Sequence, residues 1–389
     1  MQTNKIHILH LVDGLVMGGA EVLIAEIIKA LGTEKYKHFV YYFADDGPMR
    51  EKIEALGIPV YKGKNRASIK QPFWFMASLF DLVRDLGSFI RCKRIQIIQS
   101  HMGPANQLGV IVGKLLRIPT FPTVHTPVTF VDAGNRGDMR VILKKAVNQI
   151  IYRIADRVVV VSQEIKEIIQ KRFSLEDDNF FVLKNGIVLE DNFPKSDVLE
   201  KEFPDSENKL KIIAVGRLVP LKNFNLIVRA AKELINRNLT NFLVLIAGEG
   251  GERPMLEALI KELEVDTHVK LLGLRDDIIN LMMASDLFVM SSSYEGLSIA
   301  MIEAMACGLP IISSDIRSIR DCITHEQNGL LYPVGDHKAL AEQILQLAKD
   351  AKLRVKLSRG ARKSFETEYD MRKNIKSLDS LFQQYCIHN

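Results

Sequence analysis

Two carboxylates eight positions apart open the chemistry of this chain. Glu295 and Glu303 lie in "EGLSIAMIEAMACGLP", which runs from Glu295 to Pro310. The stretch from Leu297 to Ala306 is apolar almost all the way round, the pattern of a buried helix. A carboxylate in a buried helix needs hydrogen-bond donors, because an unpaired buried charge is costly. Glu295 and then Gly296 precede the helix. The amides of Gly296, Leu297 and Ser298 are then free to receive an anion such as phosphate. Glu295 would accept from sugar hydroxyls beside that phosphate, and Glu303 from the two hydroxyls of a ribose. The alternative for Glu303 is pairing with an arginine of the core or reaching to solvent.

Other candidates share one position, the end of an apolar run. In "VGRLVPLKNF", Gly216 and Arg217 leave such a run and Lys222 follows five residues later. Two cations there either clamp a diphosphate or form a solvated surface pair. Gly18 and Gly19 precede a helical pattern, as an anion site or an ordinary tight turn. The pattern is not GxGxxG, so a dinucleotide fingerprint is absent. "IAGEGG" carries Gly248, Gly250 and Gly251, and "VKLLG" ends on Gly273, whose exposed backbone could read a flat base. His101 and His125 each end an apolar run, where either would touch substrate or serve structure. Neither acidic clusters nor an Asp-x-Asp support a metal.

These positions imply a scaffold. Eleven short apolar runs alternate with helical patterns. They start at Ile6, His38, Ile95, Thr120, Arg157 and Phe180, then at Lys211, Phe242, Val269, Leu287 and Pro310. Continuous rather than alternating apolar runs suit parallel strands covered on both faces. The chain therefore predicts an α/β fold of two doubly wound domains with loops meeting across a cleft. The expected boundaries are 1–192 for the first domain, 193–209 for a polar linker and 210–365 for the second. A final helix over 366–389 follows.

Composition bounds the partners. The 389 residues are 47% hydrophobic and carry a net charge of +5, too little to argue for nucleic acid. Four dispersed cysteines form no CxxC pair, so a reducing cytosol is the simplest setting. No apolar stretch approaches the ~18 residues that span a bilayer. Residues 62–94 contain eight Lys or Arg against two Asp, with Trp74 and four phenylalanines; residues 136–157 contain six against two. Basic amphipathic segments with aromatics suit an anionic membrane surface, and so a lipid-linked or lipopolysaccharide acceptor. The alternative is solvated helices on a domain surface.

The constellation resembles the retaining GT-B glycosyltransferases of family 4. "EGLSIAMIEAMACGLP" carries their Glu-x7-Glu mark, and "GGAE", "VHTP", "VSQEIKE", "KNGI", "GRLVPLKN" and "AGEG" extend the likeness over nearly the whole chain. The resemblance implies transfer of a sugar from a nucleotide-diphosphate sugar to an acceptor with retention and without a metal or other cofactor. It implies that Arg217 and Lys222 neutralise the diphosphate, that Glu303 holds the ribose and that the backbone near Gly273 holds the base. Glu295 and the amides after it would hold the transferred sugar and distal phosphate. His125 would face sugar and acceptor, while Gly18 and Gly19 would let the first loop close. The setting implied is cytoplasmic, peripheral on the inner face of the membrane. Rival readings are a nucleotide-sugar epimerase and a non-catalytic sugar-nucleotide binder. A phosphorylase would need a pyridoxal-binding lysine, which is not identified.

Overall fold

The computed structural model describes residues 5–16, 19–63, 72–125, 139–188, 196–295 and 298–387. The chain divides into two compact units, one of residues 1–188 with 371–389 and the other of 189–370.

In the first unit, β1 (Ile6–Val12), α1 (Gly19–Leu31), β2 (Tyr36–Tyr42), α2 (Met49–Glu54), β3 (Val60–Lys62), α3 (Pro72–Lys93) and β4 (Ile97–His101) lead on. Then come α4 (Gly103–Leu116), β5 (Thr120–Val124), α5 (Met139–Ile154), β6 (Val158–Val160), α6 (Gln163–Phe173) and β7 (Phe180–Val182). The seven strands make one sheet in the order β3-β2-β1-β4-β5-β6-β7, paired in parallel throughout. A parallel pair cannot be closed by a tight turn, so helices cross over and cover both faces. Leu9, Leu11 and Ile98 pack on one face beneath α3 and α4, and Ile8, Ile97 and Val159 on the other.

In the second unit, α7 (Val198–Glu202), β8 (Leu210–Val215), α8 (Phe224–Asn236), β9 (Phe242–Ala247), α9 (Arg253–Glu262), β10 (Val269–Gly273) and α10 (Ile278–Met283) come first. They are followed by β11 (Leu287–Met290), α11 (Ile299–Ala306), β12 (Ile311–Ser314), α12 (Arg317–Arg320), β13 (Leu330–Tyr332), α13 (His337–Lys349) and α14 (Ala351–Ser364). Six parallel strands take the order β10-β9-β8-β11-β12-β13. The last helix, α15 (Met371–Ile387), belongs to the first unit, where Met371, Leu378 and Phe382 join its core.

Three boundaries differ from the sequence reading. The stretch 193–209 is structured from residue 198, because α7 buries Leu199 and Lys211 Nζ reaches Glu200 at 2.9 Å. The expected final helix starts five residues late. A π-helical turn over Phe365–Tyr369 ends on Asp370 in extended conformation, which breaks the helical run. The helix of the two glutamates begins at Ile299, with Ser298 as its N-cap, rather than at Leu297.

Candidate active site

In an open parallel sheet, ligands bind beyond strand C-termini where the strand order reverses, since adjacent loops diverge there. In the second unit that point lies between β8 and β11. The loop after β8 carries Gly216, Arg217 and Lys222, and the loop after β11 carries Glu295. The fold thus joins residues 73 positions apart: Lys222 Nζ donates to Glu295 Oε1 in a partly buried ion pair. Ser292 Oγ donates to the same carboxylate oxygen at 3.0 Å. Arg217 is exposed, and among the described residues its guanidinium has no carboxylate partner.

Hydrogen bonds stitch the two loops together. Ser291 Oγ donates to the Lys222 carbonyl at 2.7 Å and Ser293 N to the Leu221 carbonyl at 2.9 Å, while Ser314 Oγ, at the end of β12, holds the second loop by donating to the Ser292 carbonyl at 2.5 Å. The Lys222 stem runs over Gly216, where an added Cβ would lie 3.5 Å from its Cε. Gly248 is required by a closer approach, since a Cβ there would fall 1.9 Å from the Gly216 carbonyl oxygen. Gly273 sits at φ +72°, in the left-handed region that glycine enters without strain. Its carbonyl accepts from Gly248 N at 2.8 Å, and the next residue, Leu274, leaves half of its apolar surface exposed.

The expected burial of the glutamate helix holds with one opening. Ile299, Met301, Ile302, Ala304, Met305 and Ala306 are buried, whereas Ala300, Glu303 and Cys307 share one partly open stripe at helical spacing. Glu303 therefore emerges from an apolar helix on its only uncovered side. Burial, and then the Glu303 carboxylate, push the Cys307 thiol up to about 12. Gly18, Gly296 and Leu297 lie outside the described residues; Gly19 is the first residue of α1 and Ser298 is buried.

In the first unit the strand order reverses between β1 and β4. His101 ends β4, and His125 follows β5 as a half-buried side chain. His101 is wholly buried, so of the two roles the sequence left open for it the structure favours the structural one. Its Nδ1 lies 3.1 Å from His125 Nε2, so it backs the second histidine. Burial lowers the His125 imidazole to about 4. Met102 follows at φ +75°, an uncommon conformation for a side chain with a Cβ, and α4 begins at the next residue. Asp13, just past β1, accepts from Ala105 N at 2.7 Å within the first turn of α4. Burial raises its carboxyl to about 7, against that hydrogen bond.

Sequence reasoning passed over Asp13, His10, His38, Leu274 and the serines of residues 291–293. Only "SSS" beside Glu295 offered a signal, as a run of small hydrogen-bonding residues at a strand end.

Of the basic aromatic segments, Phe89 packs edge-on against Tyr61 at 4.8 Å and belongs to the core, while Phe80 is exposed. Residues 64–71 and 126–138 lie outside the described residues, as does the Trp74 side chain.

Two reversing parallel sheets, each with its polar residues past the strand ends, define the GT-B fold class. Comparison with known proteins is in keeping: the Anabaena Alr3699/HepE structure in complex with UDP and glucose superposes with a TM-score of 0.83 at 23% identity, over 97% of this chain and 100% of that one. Two family descriptions match in succession, Glycosyltransferase Family 4 over residues 17–191 and Glycosyl transferases group 1 over residues 196–364. The chain belongs to the family 4 type of GT-B glycosyltransferases. An Escherichia coli UDP-Gal:alpha-D-GlcNAc-diphosphoundecaprenol alpha-1,3-galactosyltransferase is 27% identical over 77% of this chain and 80% of its own length. A Campylobacter jejuni N,N'-diacetylbacillosaminyl-diphospho-undecaprenol alpha-1,3-N-acetylgalactosaminyltransferase is 28% identical over 86% of this chain and 88% of its own.

Proposed function

We propose that this glycosyltransferase moves a sugar from a uridine-diphosphate sugar to a glycan carried on a lipid diphosphate, with retention and without a metal. The observation that carries the proposal is the charged set at the reversal of the second sheet: the Lys222–Glu295 pair and, in the same loop as Lys222, exposed Arg217. A departing diphosphate gains charge in the transition state, so cations held there stabilise it more than the ground state. Lys222 would exchange its carboxylate partner for the diphosphate, and Glu295 would then accept from hydroxyls of the transferred sugar. Glu303, on the open stripe of α11, would accept from the ribose. The peptide at Gly273 and the side chain of Leu274 would meet the base. His125 would accept from or donate to a hydroxyl at the reacting end. The diphosphate oxygen that leaves would take the acceptor's proton on the same face, which keeps the anomeric configuration. The relatives' names support the uridine nucleotide, the lipid diphosphate and an alpha-linked product.

A membrane-bound acceptor requires the enzyme to reach the bilayer surface. Among the described residues, no helix is long and apolar enough to cross it. Gln107 Nε2 donates to Asn148 Oδ1 at 2.8 Å and sets α4 beside α5. Ile111 and Leu115 on α4, and Ile150 and Ile154 on α5, are exposed among Lys114, Arg117, Lys145 and Arg153. Apolar side chains rimmed by cations suit an anionic bilayer.

The test is transfer by the purified chain from a panel of uridine-, guanosine- and adenosine-diphosphate sugars to a polyprenyl-diphosphate N-acetylhexosamine in vesicles. Alpha-linked product from a uridine donor, undiminished by EDTA, is the expected result. Activity lost in chelator and restored by manganese or magnesium would overturn the metal-free reading. A beta-linked product would overturn retention. Cosedimentation should occur with anionic vesicles and fade in high salt; equal affinity for neutral vesicles would remove the membrane face.

A further inference from the structure

We infer that four histidines of the first unit form a polarised file that fixes which nitrogen of His125 carries its proton. The file crosses neighbouring strands: His38 on β2, His10 on β1, His101 on β4 and His125 just past β5. Successive rings are stacked with centroids 5.3, 6.1 and 5.4 Å apart and planes inclined by 24°, 28° and 28°. His10, His38 and His101 are at most 1% exposed. The rings do not converge on one point, and no three metal-binding side chains do so among the described residues. The arrangement is therefore a line rather than a cage.

The polarity follows from its far end. His38 Nε2 lies 2.9 Å from the Gly32 carbonyl oxygen, which can only accept. His38 Nε2 thus carries a proton, and in the neutral ring Nδ1 is a lone pair. His10 Nε2 lies 3.0 Å from that lone pair and must donate to it. His10 Nδ1 is then a lone pair too, and it is buried without a partner among the described residues. The neighbouring ring also holds one buried nitrogen without a partner among the described residues, His101 Nε2. Two arrangements remain. If His101 donates from Nδ1 to His125, adjacent rings bury two lone pairs and no donor. If His101 Nε2 carries the proton, they bury one donor and one acceptor. Both arrangements leave these two nitrogens unpaired, but lone pair beside lone pair repels, whereas a donor on the neighbouring ring attracts a lone pair in a low-dielectric interior, which favours the second arrangement. His101 Nδ1 is then the acceptor, and His125 Nε2–H donates to it.

It follows that His125 presents Nδ1 as a bare lone pair. Burial first, and adjoining imidazoles second, hold His10 and His101 far below the usual imidazole range, so the rings remain neutral. A hydroxyl of the transferred sugar or the acceptor can then donate to His125, and an acceptor-only carboxylate or phosphate oxygen is refused. His38, His10 and His101 are positioning residues, acting on substrate through His125. This inference rests on the reading of His125 as a residue that meets substrate.

The test is two-bond proton–nitrogen NMR on the full chain labelled with 15N-histidine, at neutral pH and without substrate. His125 is expected as the Nε2–H tautomer. In His101→Asn, the amide oxygen stands where Nδ1 stood and still accepts, so His125 keeps that tautomer. In His101→Leu, and in His38→Phe at the far end, His125 should show both tautomers. Turnover should fall by about tenfold or more in His101→Leu, as for a catalytic histidine held in the wrong tautomer, and largely return in His101→Asn. The donor KM should stay within about twofold in both, because the cations that would hold the diphosphate belong to the other unit. An Nδ1–H or doubly protonated His125 in the unaltered chain would overturn the file, and so would an unchanged His125 spectrum in His38→Phe. The spectrum needs no turnover. An Nε2–H His125 in a chain that transfers no sugar would sink the proposed function alone, and an Nδ1–H His125 in an active enzyme the file alone.

Discussion

The two sheets reverse their strand order in the same way and furnish the two reversal points with opposite chemistry. At β1 and β4 the side chains are buried imidazoles held neutral, with a capping carboxyl raised by burial. At β8 and β11 they are an exposed arginine and a lysine–glutamate pair. A dianion is met most strongly by full charges that need little desolvation, and hydroxyls are met by neutral acceptors of fixed direction. The shared topology supplies two reversal points; in the proposed function the residues put there would divide charge neutralisation from hydrogen-bond placement.

The sharpest way to break this comparison is to remove the charge from the second reversal point. Arg217→Ala and Lys222→Ala should each raise the transfer barrier by roughly 3–4 kcal/mol, two to three orders of magnitude in rate. Nucleoside affinity should be unchanged and diphosphate affinity reduced. Calorimetry with both ligands beside turnover checks this, and diphosphate binding at the original strength would make the two cations ordinary surface charges. Emptying the first reversal point should act differently. His125→Ala should slow transfer by about a hundredfold, within the range for a positioned proton partner, while leaving diphosphate affinity intact. An unchanged rate would return His125 to a structural role.

The smallest effect is on stability. Imidazoles lowered in the fold bind protons more readily once unfolded, so their contribution is lost as pH falls below about 6.5. One pH unit lower, His125, held at about 4, alone costs the first unit about 1.4 kcal/mol. Asp13, raised to about 7, runs the other way between pH 4 and 7 and offsets part of the loss. In the second unit, hydrogen-bonded arginines hold Asp277 and Asp315 below the usual carboxylate range, so their contribution persists to pH values below 4. Hydrogen exchange during acid titration should therefore open the first unit before the second. Simultaneous opening would show that the buried imidazoles do not govern it.

Most of the scaffold was legible because parallel strands covered on both faces leave continuous apolar runs. All eleven expected runs overlap strands, and "VKLLG" coincides with β10. The two that escaped, β3 and β13, are three-residue edge strands clipped by a proline on one side and a glycine on the other, Pro59 and Gly63 or Pro333 and Gly329, so neither sits in a longer apolar run. Arg217, Lys222 and Glu295 were legible as residues past strand ends. Their joining was not, because it depends on β8 lying beside β11, which strand order alone decides. The same limit hid His10 and His38. Each lies inside a strand whose neighbours read as apolar, and their meeting needs an offset of strand register that no local pattern encodes.

The helix α15 adds a consequence for synthesis. The second unit is one uninterrupted stretch, 189–370, and has all its strands as soon as that stretch leaves the ribosome. The first unit begins earlier and finishes later. Until residues 371–387 emerge, its sheet lacks the cover of Leu378 and Phe382, whose ring lies tilted against Phe121 with centroids 5.1 Å apart. Each such fully buried side chain contributes about 1.5–3 kcal/mol. The order of completion is thus the reverse of the order of translation, and a chain cut at 370 carries a finished second unit beside an uncovered first.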